Sequence, residues 1–268
     1  MIKLNNQIVH FDHFPDNSCR LIFNYTLYGE ENNITFLYEN DEELIQLYYL
    51  ISYIKARQLP IYLTMPYIPN ARQDRVKSNE DVFTLKYFCN FINGLGLDKI
   101  TVFDPHSPVS AALLDHVVVE TPADLLQQVY KQLPQDTYCA YPDGGSYKRY
   151  CTMLKVPAVF GVKERDWETM MIRNLRLAGS THIIAGHPFL IIDDIISKGS
   201  TIYWTAKQLK ERGATDIYVY TSHCEDTILK PNLNGHSLVD IPNLITKLYT
   251  TNSIFTKQHP KIEIIKEF

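Results

Sequence analysis

The sequence predicts an α/β fold with two lobes, each a mainly parallel sheet flanked by helices. Short apolar runs typical of strands alternate with longer amphipathic runs along the 268-residue chain, as expected for strands joined by crossover helices. This pattern repeats before and after about residue 135. We therefore expect an N-terminal domain over residues 1–135 and a C-terminal domain over residues 136–268.

Composition excludes several classes of function. Hydrophobic residues make up 45% of the chain and charged residues 21%, which is typical of a soluble globular protein. The net charge of -4 gives no global basic field for nucleic acid, and no apolar run approaches the roughly 18 residues of a membrane span. The five cysteines include no CxxC pair, which favours free thiols in a reducing cytoplasm.

The predicted elements of the first domain include a hairpin, two helices and two further strands. The hairpin pairs residues 20–28 with residues 34–38, across a polar turn. The remaining elements are a helix over 41–57, a strand over 61–67, a helix over 80–94 closed by Gly94 and a strand over 100–104.

The second domain is predicted to contain more strands, several of which end in Asp or His. The elements are strands over 137–143, 157–163, 189–194 and 216–223, and a helix over 201–213. Ligands of parallel sheets bind beyond the carboxyl ends of the strands, so these polar strand ends are candidate site positions.

The stretch LIIDDIISKGST places two carboxylates at the end of an apolar strand and a polar loop before a helix. Asp193 and Asp194 would suit the hydroxyls of a sugar or Mg²⁺, although such a pair also commonly caps a helix or faces solvent. The loop and the helix N-terminus would form an anion site. Its predicted ribose-phosphate-binding residues are Ser197, Lys198, Gly199, Ser200 and Thr201, of which Lys198 to Thr201 would hold the phosphate.

This stretch resembles the phosphoribosyl-diphosphate loop shared by type I phosphoribosyltransferases and ribose-phosphate pyrophosphokinases, and by itself it leaves both families open. Residues 66–75, PYIPNARQDR, discriminate between them. Taken alone, they would be read as a solvated charged turn. They closely resemble the ATP-binding loop of ribose-phosphate pyrophosphokinases, which phosphoribosyltransferases do not have, and the resemblance implies that Arg72, Gln73 and Asp74 bind ATP.

Three further stretches resemble motifs of the same family in the same order. DPHSP at 104–108 resembles a loop at the Mg-ATP site, which implies roles for Asp104 and His106 in binding metal and ATP; a lone histidine would more often be structural. PDGGSYKR at 142–149 resembles a motif that implies Asp143 as a metal ligand. GVKERD at 161–166 resembles the strand end that carries the catalytic pair, here Lys163 and Arg165.

The N-terminal stretch FPDNS at 14–18 matches less of its family motif. It resembles a hairpin that stacks on adenine from a neighbouring subunit; Phe14 and Asp16 fit, whereas Ser18 replaces an acidic residue. The resemblance therefore implies ATP contacts from Phe14 and Asp16, and a homodimer or higher homo-oligomer.

Together the motifs imply two phosphoribosyltransferase-like lobes and a Mg²⁺-dependent enzyme. It would transfer the β,γ-diphosphate of ATP to the anomeric hydroxyl of ribose 5-phosphate, in the cytoplasm (of the host, for a phage-encoded chain). The loop departs from the family pattern D-D-x-x-D-T-x-G-T, because Ser197 and Lys198 replace Asp and Thr. An alternative acceptor is therefore ADP-ribose, whose diphosphate Lys198 would meet. Less favoured alternatives are a phosphoribosyltransferase and a non-catalytic regulatory homologue.

Overall fold

The chain divides into two compact units, Met1–Thr121 together with Phe268, and Pro122–Glu267. The structure, a computed structural model, describes residues 1–22, 30–165, 172–233 and 235–268. The boundary expected near residue 135 lies inside the second unit. The reason is the helix Ala123–Lys131, whose Leu126 and Val129 are fully buried in the core of the second unit.

In its described part, the first unit contains a six-stranded sheet and a separate two-stranded hairpin. Its strands are β1 (Ile2–Leu4), β2 (Gln7–Ile8), β3 (His10–His13), β4 (Cys19–Ile22), β5 (Asn32–Phe36), β6 (Ile61–Met65), β7 (Lys99–Phe103) and β8 (Val117–Glu120). The sheet order is β2-β1-β5-β6-β7-β8, in which β5 to β8 are parallel and β1 is antiparallel to both neighbours.

Three helices follow the parallel strands of this unit: α1 (Glu42–Lys55), α2 (Thr84–Gly94) and α3 (Pro108–Leu113). The apolar residues of α1 recur at helical spacing, and four of them are buried against the sheet: Leu47, Leu50, Ile51 and Ile54. This spacing is the signal that predicted the helix, and the prediction over 41–57 is confirmed to within two residues at either end.

The predicted hairpin between residues 20–28 and 34–38 is wrong where the structure describes it, and residues 23–28 lie outside the described residues. Strand β5 pairs with β1 on one edge and with β6 on the other, so both of its hydrogen-bonding edges are occupied. Strand β4 pairs instead with β3. The prediction paired β5 with the nearest strand in sequence, whereas the N-terminal strand β1 occupies that edge of β5.

The helix predicted over 80–94 begins later, at Thr84. The carboxylate of Asp81 accepts hydrogen bonds from the backbone N–H groups of Lys77 and Ser78, at 2.8 and 2.9 Å. Such local bonds stabilise a turn in competition with a helix. Gly94 is the last helical residue, whereas the left-handed conformation after the helix is adopted by Gly96, with φ +65°.

The second unit is built on a seven-stranded sheet. Its described strands are β9 (Tyr138–Tyr141), β10 (Ala158–Arg165), β11 (Ile172–Gly179), β12 (Phe189–Ile196), β13 (Ile217–Cys224), β14 (Lys247–Thr251) and β15 (Ile262–Lys266). The order is β11-β10-β9-β12-β13-β14-β15, and only the β10–β11 pair is antiparallel in the described sheet.

Helices cover both faces of this sheet: α4 (Ala123–Lys131), α5 (Gly144–Tyr150) and α6 (Ser200–Glu211). The central strand β12 is a continuous apolar run buried on both faces. Its alternate residues Phe189 and Ile191 pack on the side of α6, whereas Leu190 and Ile192 pack on the side of Tyr150 in α5. The predicted α/β class with mainly parallel sheets is confirmed. No helix in the described part of the chain combines the length and the apolar character needed to cross a membrane.

Candidate active site

The loop between β12 and α6 depends on a glycine just before the helix. Gly199 has φ +78° and ψ 11°, the left-handed conformation that side chains disfavour. A Cβ at this position would lie 2.5 Å from Cδ2 of Leu238, so both the backbone angle and the packing require glycine. The tight approach sets the direction in which α6 begins. The first N–H groups of a helix have no intrahelical acceptor and favour an anion.

The predicted ribose-phosphate-binding residues 197–201 form one continuous segment at this point. Lys198 and Ser200 are exposed, and Thr201 is half-buried. Oγ of the half-buried Ser197 lies 3.2 Å from Oγ1 of Thr227, and the carbonyl of Lys198 accepts a hydrogen bond from the Asn232 side chain at 3.3 Å. The segment is therefore tied to the turn after β13, and its ammonium group reaches the surface.

The adjacent aspartates leave β12 on opposite faces, because successive side chains of a strand alternate. Asp193 continues the row of Ile191 on the α6 side and is half-buried, and its Oδ1 accepts from the N–H of Asp194 at 3.1 Å. Asp194 continues the row of Ile192, is only 8% exposed, and receives Nη1 of Arg149 at 3.2 Å. The pair thus has one buried member held by a cation and one half-buried member on the side of α6.

Asp143 caps the helix that carries this arginine. Its Oδ1 accepts from the N–H groups of Gly145 and Ser146 at 2.9 and 3.0 Å, while Ser146 Oγ lies 3.3 Å from the N–H of Asp143. This reciprocal capping box fixes the start of α5, and Arg149 projects from its last turn. The stretch PDGGSYKR therefore follows β9 directly, supplies the N-cap of α5 through Asp143 and carries the cation Arg149.

In the first unit, the ARQDR loop is organised around Asp74. Asp74 is 8% exposed and accepts two hydrogen bonds from Arg75, at 2.7 Å from Nε and 3.0 Å from Nη2. These bonds lower the pKa of Asp74 against the opposing effect of burial, and Ser107 and His106 act in the same direction. Asp74 thus joins this loop to the DPHSP loop, whereas Arg72 and Gln73 remain exposed.

The DPHSP loop begins with an unusual backbone conformation. Asp104 directly follows β7, is 5% exposed and has φ +40°, a region that aspartate tolerates better than most residues. Ser107 caps α3 by accepting from the N–H of Val109, with Pro108 in the first helical position. His106 lies half-buried between these two positions. Such backbone strain is often found at functional sites.

The β3–β4 hairpin presents an aromatic side chain at its turn. Phe14 is 47% exposed, and the guanidinium carbon of Arg20 lies 5.5 Å from the centre of its ring. Asp16 accepts hydrogen bonds from the hydroxyl and the N–H of Ser18, which lower the pKa of Asp16. The turn predicted from FPDNS is therefore a formed hairpin turn with Phe14 on its surface.

Comparison with known proteins agrees with these motifs. The chain is 30% identical over 235 residues to ribose-phosphate pyrophosphokinase 1 of Listeria innocua, covering 85% of this chain and 70% of that protein. It is 29% identical over 240 residues to the ribose-phosphate pyrophosphokinase of Bacillus subtilis, with the same coverage. The chain belongs to the ribose-phosphate pyrophosphokinase family. The predicted family and the predicted enzyme class, a ribose-phosphate diphosphokinase, are confirmed.

The fold of this family member is also shared with a solved structure. The phosphoribosylpyrophosphate synthetase from Mycobacterium smegmatis superposes with a TM-score of 0.78 over 96% of this chain and 85% of that chain, at 19% identity. A search of protein-family models found no match. The predicted phosphoribosyltransferase-like architecture of the two lobes is confirmed.

The catalytic pair implied by the family motif lies on β10. The backbone of Lys163 pairs with Leu175 of β11, and that of Arg165 pairs with Ile172. The side chains of both residues lie outside the described part of the structure, as do residues 166–171. Their catalytic assignment in this family member remains a prediction.

The donors predicted to bind metal fit Mg²⁺ by their chemistry. Asp104 in the first unit and Asp143 in the second offer carboxylate oxygens, the hard ligands that Mg²⁺ prefers, whereas the nitrogen of His106 suits it less well. Among the described residues, no group of three or more His, Cys, Asp and Glu side chains forms a metal cage. In proteins, Mg²⁺ commonly takes one or two carboxylates together with substrate phosphates.

Three residues of the site were not singled out as site residues from the sequence. Arg149 lies inside a quoted motif, but only the fold shows that it meets Asp194. Ser107 could have been found as a cap, because Ser-Pro is a common start of a helix. Thr227 carries no local signal, since its partner Ser197 is 30 residues away in sequence.

Proposed function

We propose that this family member transfers the β,γ-diphosphate of ATP to the anomeric hydroxyl of ribose 5-phosphate, forming phosphoribosyl diphosphate and AMP. The observation that carries the proposal is the convergence of the ARQDR and DPHSP loops on Asp74 in the first unit. Two stretches that resemble ATP-site motifs of the family, more than 25 residues apart in sequence, therefore form one structural group.

In this proposal the first unit binds ATP. Asp74 is held by Arg75, so its neighbours Arg72 and Gln73 are presented to solvent from an ordered loop. A guanidinium presented in this way can bind a phosphate oxygen with two parallel hydrogen bonds. Phe14 and Asp16, on the surface hairpin, would reach ATP bound to a neighbouring subunit of a homo-oligomer.

The second unit binds the ribose group. The helix dipole of α6, its first N–H groups and the ammonium of Lys198 favour a 5-phosphate, and Ser200 and Thr201 supply hydroxyl donors. Asp193, half-buried on the side of α6, is the carboxylate that we expect to accept hydrogen bonds from the sugar. The backbone N–H of Asp194 donates to Asp193, while the Asp194 side chain is held by Arg149 on the other face of β12.

Transfer at the β-phosphorus requires in-line alignment and neutralisation of a highly charged transition state. Lys163 and Arg165 are the side chains that we expect to stabilise the transferring group. Mg²⁺, when bound with ATP, would neutralise phosphate charge. Asp104 and His106 are its candidate ligands in the first unit, and Asp143 is a separate candidate within the second unit. The attacking nucleophile is the substrate hydroxyl, so no covalent enzyme intermediate is needed.

ADP-ribose is the second candidate acceptor. The observation that favours it is the exposed ammonium of Lys198, which extends from the loop beside the N-terminus of α6. A diphosphate attached at the 5-position would place a second negative group within reach of such a cation. The same diphosphate transfer would then act on a larger acceptor.

The test is to incubate the protein with Mg-ATP alone, with ribose 5-phosphate and with ADP-ribose. AMP release is measured by chromatography and the diphosphorylated product by phosphorus NMR. We expect AMP formation that depends on an acceptor, and a product with a new diphosphate resonance. Equal AMP release with and without acceptor, or none in any mixture, would contradict the proposal.

A variant of the predicted catalytic lysine sharpens this test. Lys163→Ala should abolish transfer and leave the Kd of ATP nearly unchanged, because the interaction is expected mainly in the transition state. Lys131→Ala is the matched control, since Lys131 is an exposed lysine in the last turn of α4 of the same unit. Full activity of Lys163→Ala would remove Lys163 from the mechanism.

A further inference from the structure

Three side chains form a hydrogen-bonded relay that ends in the sugar-phosphate loop. Oγ of Ser197 lies 3.2 Å from Oγ1 of Thr227, and Oγ1 of Thr227 lies 3.1 Å from Oε2 of Glu225. All three side chains are half-buried. The relay therefore connects a hydroxyl of the loop to a carboxylate that follows β13.

The chemistry of the groups sets the direction of the relay. An ionised carboxylate can only accept, so the single hydroxyl proton of Thr227 is donated to Glu225. In its contact with Ser197, Thr227 must then accept, and the proton of Ser197 is used in that bond. Ser197 can consequently offer only its oxygen lone pairs to a further partner.

The backbone holds both ends of the relay in register. The N–H of Glu225 donates to the carbonyl of Ile196 at 2.8 Å, directly before Ser197. Within the turn after β13, the N–H of Ile228 donates to the carbonyl of Glu225 at 3.0 Å. The distance between the carboxylate and the loop is thus fixed by main-chain bonds as well as by the Thr227 side chain.

We propose that Glu225, acting through Thr227, is a positioning residue that makes Ser197 a hydrogen-bond acceptor for a hydroxyl of the ribose group. This inference rests on the proposed function and names a determinant of its sugar site. A serine whose hydroxyl rotates freely would present either a proton or a lone pair to the sugar. The relay leaves only the oxygen lone pairs of Ser197 for the sugar. Through Thr227, the negative charge of Glu225 polarises this neutral hydroxyl.

Thr227→Val removes the relay and keeps the shape of the side chain. We expect the KM for ribose 5-phosphate to rise roughly tenfold, because one oriented hydrogen bond is lost, and the KM for ATP to stay within about twofold. Thr227→Ser, which keeps the hydroxyl, should restore the KM for ribose 5-phosphate. Calorimetric titration with ribose 5-phosphate should give the same order of affinities without any reaction.

The matched control is Thr246→Val. Thr246 also donates its hydroxyl to a carboxylate, that of Asp216 at 3.0 Å, but it lies directly before β14, away from the carboxyl ends of the strands. Removal of this bond should leave both KM values unchanged. A purely structural role of the Thr227 bond would give the two variants the same kinetic behaviour.

The second test moves the carboxylate from position 225 to position 197. Ser197→Asp places a carboxylate beside Thr227, which has one proton and can satisfy only one of two acids. We expect this variant to weaken ribose 5-phosphate binding, and Glu225→Gln in the same chain to recover most of the loss. A recovery of this kind would show that positions 197 and 225 are energetically coupled.

The two levels of the proposal fail in different ways. If the wild type forms acceptor-dependent AMP but Thr227→Val keeps the wild-type KM for ribose 5-phosphate, the relay role is overturned and the proposed function stands. If the wild type forms no AMP with either acceptor, the proposed function is overturned. The calorimetric titration then decides the relay, which an unchanged Kd in Thr227→Val would also overturn.

Discussion

Nη1 of Arg149 lies 3.2 Å from Oδ2 of Asp194, and this contact joins two sequence motifs that are 45 residues apart. The arginine comes from the helix that Asp143 caps, and the aspartate from the end of the central strand β12. Because Asp194 is only 8% exposed, its charge would be costly without a nearby cation. The contact therefore explains how the buried member of two adjacent aspartates is accommodated at the end of the strand.

Arg149→Met should destabilise the second unit by about 2 kcal/mol, because it leaves the buried carboxylate without this cation. Urea unfolding measures the change, with Lys148→Ala as control, since Lys148 is the exposed neighbour on α5. Adding Asp194→Asn should recover part of the loss. Additive effects of the two substitutions would show that the contact contributes nothing to stability.

Asp74→Asn should lower the free energy of unfolding by about 1–3 kcal/mol at neutral pH, because the two hydrogen bonds from Arg75 lose their charge. The pKa of Asp74 is lowered in the folded protein, so its contribution is complete above the pKa of an unfolded aspartate, about 3.9. It is lost as the pH falls through the lowered value. Urea unfolding between pH 7 and pH 3 should show the difference between wild type and variant shrinking towards the acid end; a constant difference would contradict it.

Gly199→Ala should cost more stability than Gly186→Ala. Both glycines have similar positive φ angles, +78° and +81°, so the backbone penalty of about 1 kcal/mol is shared. Only at Gly199 would the added Cβ meet another residue, at 2.5 Å from Leu238, whereas nothing lies within 4 Å of the position at Gly186. Thermal unfolding of the two variants isolates the packing effect. Equal losses would show that the close approach to Leu238 is unimportant.

Phe14→Ala should raise the KM for ATP roughly tenfold if the hairpin stacks on adenine, because base stacking on an aromatic ring contributes on the order of 1–3 kcal/mol. Its effect on unfolding should stay within about 0.5 kcal/mol, since the side chain is 47% exposed. Ile22→Ala is the control on the same hairpin, with similar exposure at 48%. Steady-state kinetics with varied ATP distinguish Phe14→Ala from Ile22→Ala. An unchanged KM for ATP in Phe14→Ala would show that the hairpin does not contribute to ATP binding.

Lys198→Ala should raise the KM for ribose 5-phosphate roughly tenfold, because one charge-assisted contact with phosphate is lost. The affinity of the wild type for ribose 5-phosphate should fall at high salt, because salt screens the charge of the exposed Lys198. Lys230→Ala, at another exposed lysine of the same unit, should have no effect. A much larger loss with ADP-ribose than with ribose 5-phosphate would identify Lys198 as a determinant of the larger acceptor.

Local features of the site were predictable wherever they depend on residues close in sequence. The apolar spacing of α1, the buried run of β12 and the loop before α6 were all read from short windows. Strand periodicity also implies that the side chains of Asp193 and Asp194 point to opposite faces of the sheet. The capping box at Asp143 follows the same local logic.

Contacts between distant residues could not be read in this way. The partner of β5 was predicted wrongly because hairpin pairing with the nearest strand was assumed, while β1 binds the same edge. The hydrogen bond from Thr227 to Glu225 is local, but its connection to Ser197 exists only because β12 and β13 lie side by side. Neither the periodicity nor the spacing of residues in the sequence predicts such contacts between distant residues.

The sequence by itself determined the family, the α/β class and the loops that carry the site, because backbone propensities and motif chemistry act over a few residues. Only the tertiary structure decided that Arg149 holds Asp194, that Asp74 links two loops and that Glu225 reaches Ser197 through Thr227. The physical reason is that a side chain finds its partner through the packing of whole strands and helices. That packing depends on the burial of the entire apolar core, to which residues throughout the chain contribute.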